Sequence, residues 1–272
     1  MSEKKSNSCS DPHFSTQKSA ILGIWDQMQR LQTDFAFAQE LGFYYTSPTW
    51  HTAQMILDLG TGNGYYLGKI AAQFPDKVYH GVDTSSELIT IAKNEAGCEK
   101  VTFTHSNLFD VAGPYDFVLM RLLLQHLENI QIVLDHVASL TRPGGSALIV
   151  DAHDPFRYFH PDLPEFVEFF CAYAEHERKL GRDRRVTSRL EEAISKSPEW
   201  QMGDTIQLLI PSTIPGNLDL FTRTYSLLVD LVEQAGELQY DFLSVKDAWR
   251  RWSERPDAYT QVGLNLICLH RV

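Results

Sequence analysis

The sequence of 272 residues has no cysteine framework, no surplus of positive charge and no long apolar run. Its four cysteines, Cys9, Cys98, Cys171 and Cys268, lie far apart, without the close pairs of a zinc site or a disulfide scaffold, so they read as isolated thiols in a reducing compartment. Lys plus Arg number 24 against 35 Asp plus Glu, a formal charge of −11. That balance repels phosphate backbones and argues against nucleic acid as a partner. No stretch approaches the roughly 18 apolar residues that a membrane-spanning helix needs. The polar opening MSEKKSNSCSDPHF has no apolar segment behind its lysines, so no secretory leader and no membrane partner are expected. A cytoplasmic location follows as the expectation. Internal repeats and low-complexity tracts are also missing, which excludes solenoids and linkers. What remains is the composition of a globular chain, 43% hydrophobic and 22% charged.

Along the chain, the first dozen residues are polar and expected to fray. From Thr16 to Leu41, Ile21, Ile24, Trp25, Met28, Leu31, Phe35 and Ala38 recur at helical spacing, with Gly42 as the expected stop and residues 43–53 as an aromatic loop. The rhythm then changes. Short apolar runs at 55–59, 78–82, 101–104, 117–120 and 147–150 alternate with helical patterns at 65–73, 86–96 and 130–140. Such alternation means a mostly parallel α/β sheet with helices on both faces. Beyond Asp151 the pattern predicts helices at 162–180, 188–195, 218–235 and 244–253, with strands at 206–210 and 262–270. No linker separates these parts. One domain is expected, with an N-terminal helical lid at 1–53, a ligand-binding core at 54–151, and a helical insertion and closing strands at 152–272.

The informative segment is Asp58-Leu59-Gly60-Thr61-Gly62-Asn63-Gly64, where an acid closes the first strand and three alternate glycines turn the chain into a helix. Glycine is required where backbone takes positive φ or lies against a ligand. The third glycine falls one place too early for the dinucleotide fingerprint G-x-G-x-x-G, and no Gly-Lys-Ser/Thr of a phosphate loop follows. A carboxylate at Asp58 disfavours a diphosphate and suits an ammonium group. Asp83 ends the second strand 19 residues past Gly64, where a carboxylate can accept ribose hydroxyls. An adenosine with a cationic amino-acid tail meets these demands.

These residues resemble the class I S-adenosylmethionine-dependent methyltransferases. The likeness runs from about Gln54 to Asp151: the loop Asp58–Gly64, the acid in Gly81-Val82-Asp83-Thr84-Ser85, the strand entry Tyr115-Asp116-Phe117-Val118, and the turn Leu140-Thr141-Arg142-Pro143-Gly144-Gly145. The segment Arg121-Leu122-Leu123-Leu124-Gln125-His126-Leu127 looks like its counterpart in ubiquinone/menaquinone-methyltransferase-like enzymes of small molecules. The resemblance implies a Rossmann-like fold with a helical cap inserted after the fifth strand, S-adenosyl-L-methionine as cofactor, and a small-molecule substrate. It implies cofactor contacts at Asp58, Gly60, Thr61, Gly62, Asn63, Gly64, Asp83, Thr84, Asn107, Leu108 and Arg121. Asn107 stands where the family usually has an acid; its side-chain carbonyl can accept from an adenine amino group, with Asp110 as the rival.

Methyl transfer from a sulfonium asks mainly for alignment, and for a base only where the acceptor arrives protonated. His126 after the fourth strand and His153 after the fifth are the candidate bases, against ordinary packing roles. Tyr44, Tyr45, Tyr158 and His160 are candidates for the substrate chamber, which the N-terminal segment and the helices of 155–200 would form. Asp151-x-His153-Asp154 with His160 also reads as metal ligands, but no metal is expected. The basic run Arg178-Lys179-x-x-Arg182-x-Arg184-Arg185 is broken by acids and reads as a solvated helix face. The expected function is methyl transfer to O, N or S of a small, apolar or aromatic metabolite. The alternatives are a cofactor-binding regulator without transfer, and a protein or RNA methyltransferase.

Overall fold

The computed structural model describes residues 12–272, with side chains from Ser19 onward. Cys9 and the residues expected to fray lie outside that range, apart from Pro12. Helix α1 (Pro12–Thr46) and the short α2 (Pro48–Thr52) lead into β1 (Met55–Leu59), α3 (Tyr65–Gln73), β2 (Val78–Asp83), α4 (Ser86–Glu95) and β3 (Val101–His105). Then follow β4 (Tyr115–Arg121), α5 (Ile130–Leu140), β5 (Thr141–Ala152), β6 (Tyr158–His160), α6 (Pro164–Lys179) and α7 (Leu190–Ser195). The chain ends with β7 (Trp200–Pro211), α8 (Asn217–Ala235), α9 (Phe242–Ser253) and β8 (Tyr259–Arg271). The strands form one mixed sheet in the order β3-β2-β1-β4-β5-β8-β6, with β7 on the other flank of β8. Strands β1 to β5 pair in parallel, and β8 runs antiparallel to β5, β6 and β7.

Strands buried on both faces divide their side chains between two cores. Ile56, Phe117, Leu119, Leu148 and Val150 face the side covered by α1, α3, α6, α8 and α9. Their neighbours Leu57, Val118, Met120, Ala147 and Ile149 face α5 and α7. Asp116, in the strand entry, is a fastener within the sheet: its Oδ2 accepts from the N–H groups of Gln54 (2.6 Å) and Met55 (2.9 Å), fixing the start of β1 against β4. Among the described residues no helix is long and apolar enough to cross a membrane.

Three expectations are corrected. Gly42 does not end the first helix, which runs on to Thr46. Burying Phe43 and Tyr44 just beyond it outweighs the ~1 kcal/mol that a helical glycine costs. The strand β6 has no sequence signal; three residues carry no period, and Tyr158–His160 extends only because β8 offers a free edge there. Helix α8 lines the chamber as well, which was expected of 155–200 and 16–50, while 213–258 was expected only as a helical addition over the sheet's carboxyl edge.

Helix α1 is tied to the sheet by charge. Arg121, at the carboxyl end of β4, donates from Nε and Nη2 to the carboxylate of Glu40 (2.9–3.1 Å) and from Nη2 to the carbonyl of Gln32 (3.2 Å). Glu40 is fully buried, and the guanidinium stacks 4.4 Å from the Tyr66 ring centroid. Removing one member of such a pair leaves an unanswered buried charge, at about 3–5 kcal/mol. Glu40→Gln is therefore expected to lower stability by about that amount in urea unfolding; a loss below ~1 kcal/mol would show that the pair does not anchor α1.

Candidate functional site

The strand order reverses beside β1, which has β2 on one flank and β4 on the other, so a crevice opens at the carboxyl ends of these strands. The glycine loop leaves β1 there. Gly60, Gly62 and Gly64 take φ of +71°, +58° and +72°, values that side chains resist, and the N–H groups of Gly60 and Thr61 both bond the Val82 carbonyl. A Cβ on Gly62 would lie 2.4 Å from Gln29 Oε1. Helix α1 is held onto this loop from above: Gln29 Oε1 accepts from the Asn63 N–H at 3.0 Å, and Asn63 Nδ2 donates to Asp26 Oδ1 at 2.7 Å.

Above the loop lies a cavity of about 480 Å³. Of the residues expected at the cofactor, Asp58, Gly60, Thr61, Asn63, Asp83, Thr84 and Arg121 line it, and His126 and His153 do so too. Gly62 is covered by Gln29, and Gly64 backs onto Phe103 and Ala92. Asn107 and Leu108 are off the cavity wall. The Asn107 side-chain oxygen instead accepts from the Phe109 N–H and caps a short 3₁₀ turn. Ser85 and Leu88 line the cavity beyond Asp83.

None of the four chamber candidates lines this cavity. Tyr44 is fully buried and shares a 2.8 Å hydrogen bond with the Tyr66 hydroxyl. Tyr45 is exposed and donates to Gln73. Tyr158 and His160 belong to β6, whose pairing with β8 turns their side chains outward. The apolar wall comes instead from Trp25, Met28 and Phe35 of α1, Phe170 and Tyr173 of α6, and Phe221, Tyr225 and Leu228 of α8. Other cap aromatics, Phe159, Phe166 and Phe169, are spent on the core. Leu122 also lines the cavity and holds φ at +53°, strained for a branched side chain, with its N–H on the Val150 carbonyl.

The electrostatics differ between the two ends. Asp83 accepts from the N–H groups of Gly62 (2.9 Å) and Ser85 (2.8 Å), which aims its carboxylate along the loop. Asp58 is 2% exposed and makes no ion pair among the described residues, since Arg121 is taken by Glu40. Burial pushes the Asp58 carboxyl up to about 7, against the opposing pull of Thr61 and Arg121. His126 is pushed down to about 4 by burial and by Arg184 and Arg182, so its ring is neutral at pH 7. His153 Nδ1 lies 3.0 Å from Asn265 Nδ2, within hydrogen-bond distance.

The basic run is corrected as well. Arg178 and Arg185 are exposed, as expected of a solvated face, but Arg184 turns inward to the cavity wall with its side chain 17% exposed. It lies after the end of α6, where helical spacing no longer dictates direction. Asp154, offered above as a metal ligand, pairs with Arg184 and with Arg157. Among the described residues no group of three His, Cys, Asp or Glu side chains converges.

The raised Asp58 carboxyl makes a prediction about the ligand-free protein. A carboxyl at about 7 in the fold and near 3.8 when unfolded contributes stability that is complete below about pH 4 and is lost as pH rises through 7. Asp58→Asn removes that loss. Its stability relative to wild type, measured by urea unfolding, is expected to be greater at pH 8 than at pH 5; an equal difference at both would contradict the assignment.

A family pattern described as "Methyltransferase domain" matches residues 57–147, the stretch from β1 into β5. Malonyl-[acyl-carrier protein] O-methyltransferase 2 of Ilyobacter polytropus is 24% identical over 153 residues, 52% of this chain and 59% of that protein. The secondary metabolism regulator laeA of Coprinopsis cinerea is 26% identical over 247 residues, 79% of this chain and 58% of that protein. Ribosomal RNA small subunit methyltransferase G of Bacteroides fragilis is 30% identical over 86 residues, 30% of this chain and 42% of that protein. The chain thus spans about half the length of these relatives. Among solved structures, phosphoethanolamine N-methyltransferase 2 of Haemonchus contortus, in complex with S-adenosyl-L-methionine, superimposes with a TM-score of 0.53 at 16% identity, over 86% of this chain and 52% of that one. The glycine loop at the strand reversal, the acid closing β2 and the matched stretch agree: residues 57–147 match a methyltransferase domain.

Proposed function

We propose that the protein transfers a methyl group from S-adenosyl-L-methionine to a small, largely apolar or aromatic molecule held in the cavity above the glycine loop. One observation carries this reading: a single cavity joins Asp58, Gly60 and Asp83 to an aromatic wall supplied by α1, α6 and α8. The residues fit the cofactor's chemistry. Asp58, buried and without a cation, suits an ammonium group, and Asp83, fixed by two backbone N–H groups, suits the ribose hydroxyls. The cofactor supplies an activated methyl on a sulfonium, so the acceptor's lone pair forms the new bond while the old C–S electron pair stays on sulfur.

This chain's part is to exclude water and to align. Phe35, Phe221 and Leu228 close the roof, and Arg121 with Glu40 keeps α1 over the loop. His126 is neutral and reaches the cavity, so it can accept an acceptor's proton, although a conjugate acid near 4 makes it a weak base. His153, held through Nδ1 by Asn265, is the second histidine on the cavity wall. Alignment therefore supplies most of the rate.

A small-molecule acceptor is supported by the enclosed aromatic wall and by the malonyl-[acyl-carrier protein] methyltransferase relative. The rRNA methyltransferase relative shares under a third of this chain, and the net charge of −11 opposes RNA. The narrower ubiquinone/menaquinone-type reading rests on the segment Arg121–Leu127 alone. The laeA relative, matched over most of the chain, favours a regulator as the second reading. Incubation with metabolite extract and cofactor separates the readings: new products heavier by CH₂ support the enzyme, whereas cofactor binding without any product supports the regulator.

Two substitutions probe the site. Asp83→Ala is expected to weaken S-adenosylhomocysteine at least ~10-fold in calorimetry, since a charge-assisted hydrogen bond is worth about 1.5–3 kcal/mol; unchanged affinity would remove Asp83 from the site. His126→Phe is expected to leave that affinity within about twofold and to lower turnover less than ~100-fold, below the reach of an efficient general base. A larger fall would make His126 the principal base.

A further inference from the structure

The cavity wall also carries two guanidinium groups that share one carboxylate. Arg157 Nη2 donates to Asp154 Oδ1 at 2.6 Å, and Arg184 Nε donates to Asp154 Oδ2 at 3.3 Å. Their side chains are only 14% and 17% exposed. Arg184 Nη2 also reaches Asp154 Oδ1 at 3.4 Å, and the other contacts are neutral: Arg157 Nε meets the Tyr225 hydroxyl at 3.3 Å, and Arg184 Nη1 donates to the Gln125 side-chain oxygen at 2.9 Å. Arg157 Nη1 has no partner among the described residues. Both guanidiniums lie over the ring of Phe170, at 3.4 and 4.9 Å from its centroid, which holds their planes, and Arg157 keeps one terminal nitrogen open.

Resting on the methyltransferase reading above, we propose that Arg157 and Arg184 bind a carboxylate of the methyl acceptor, making the substrate an aromatic or apolar acid. A partly buried arginine needs a counter-charge, and here two arginines have one between them on the wall. A second acid, Asp151, acts on Arg184 through its charge without an ion-pair contact; it is buried and takes hydrogen bonds from the N–H groups of Gln125 and Ala152. Asp154 is the one carboxylate in ion-pair contact with the two arginines among the described residues, so a monoanion would be their second, with the open Nη1 of Arg157 as a donor to it. Phosphate, usually a dianion, would bring a second negative charge that the wall does not answer. The cavity thus divides its charge: Asp58 suits the cofactor's ammonium and Asp83 its ribose hydroxyls, and the arginines suit an anionic group. A substrate held by its acid at the arginines presents its other end along the aromatic wall.

The test uses the full chain saturated with S-adenosylhomocysteine and a panel of cinnamate, 3-phenylpropanoate and 1-naphthoate, each with its primary amide, plus benzyl phosphate, by calorimetry. At least one carboxylate is expected to bind tenfold or more tighter than its own amide and tighter than benzyl phosphate. Arg184→Gln is expected to bring that acid and its amide within about twofold while leaving S-adenosylhomocysteine affinity unchanged. Amides binding as well as acids, phosphate binding tighter, or no acid binding would overturn the clamp. The wild-type comparison needs no variant, so a poorly folded Arg184→Gln leaves the test decisive. Failure of S-adenosylhomocysteine itself to bind would sink the methyltransferase reading instead, and the acid–amide comparison on the ligand-free protein would still judge the arginines.

Discussion

A parallel sheet whose strand order reverses beside its first strand leaves an open crevice at its carboxyl edge, and covering that crevice organises the rest of this molecule. The five parallel strands provide the edge, and the glycine loop supplies its floor. The remaining helices are placed by the need to bury apolar surface over it. Helix α1 reaches the loop through Asp26 and Gln29, and α8 packs beside it with Phe221 at 4.7 Å from Phe35 between ring centroids. Helix α6 closes the third side with Phe170 and Tyr173.

Charge is distributed with the same economy. Arg121 and Glu40 neutralise each other in the interior, which leaves Asp58 without a cation although Arg121 is nearby. An unpaired carboxyl in that position stays partly protonated near neutral pH until a cationic group arrives. Elsewhere on the wall two guanidiniums share the carboxylate of Asp154. His126 lies within reach of that positive field, which adds to burial in keeping its ring neutral. The site is therefore better arranged to hold charged ends of its ligands than to move protons.

The sheet and the glycine loop were legible before any coordinates because both rest on local rules. Alternating apolar runs and helical patterns mark a parallel sheet, and three alternate glycines after an acid demand a left-handed turn. Helix α3 has the bounds expected from Tyr65 and the break at Phe74-Pro75. Asp58 and Asp83 were legible for a related reason, since each sits at a fixed distance from the end of a strand. The position of Asn107 after β3 says nothing of where its side chain finds a donor, which is the Phe109 N–H, two residues away. Tyr44 and Tyr45 are adjacent in sequence, yet a helix turns one into the core and the other to solvent.

The sequence alone determined the fold class, the position of the glycine loop and the acids that flank it, because backbone sterics and strand period act over a few residues. Only the tertiary structure decided what covers that loop. Arg157, Arg184 and Asp154 come from two connections that no periodicity governs, and Trp25, Phe35, Phe221 and Tyr225 come from helices whose apolar faces look alike whether they serve a core or a cavity. Long-range packing chooses among those faces, and its outcome depends on all the surfaces at once.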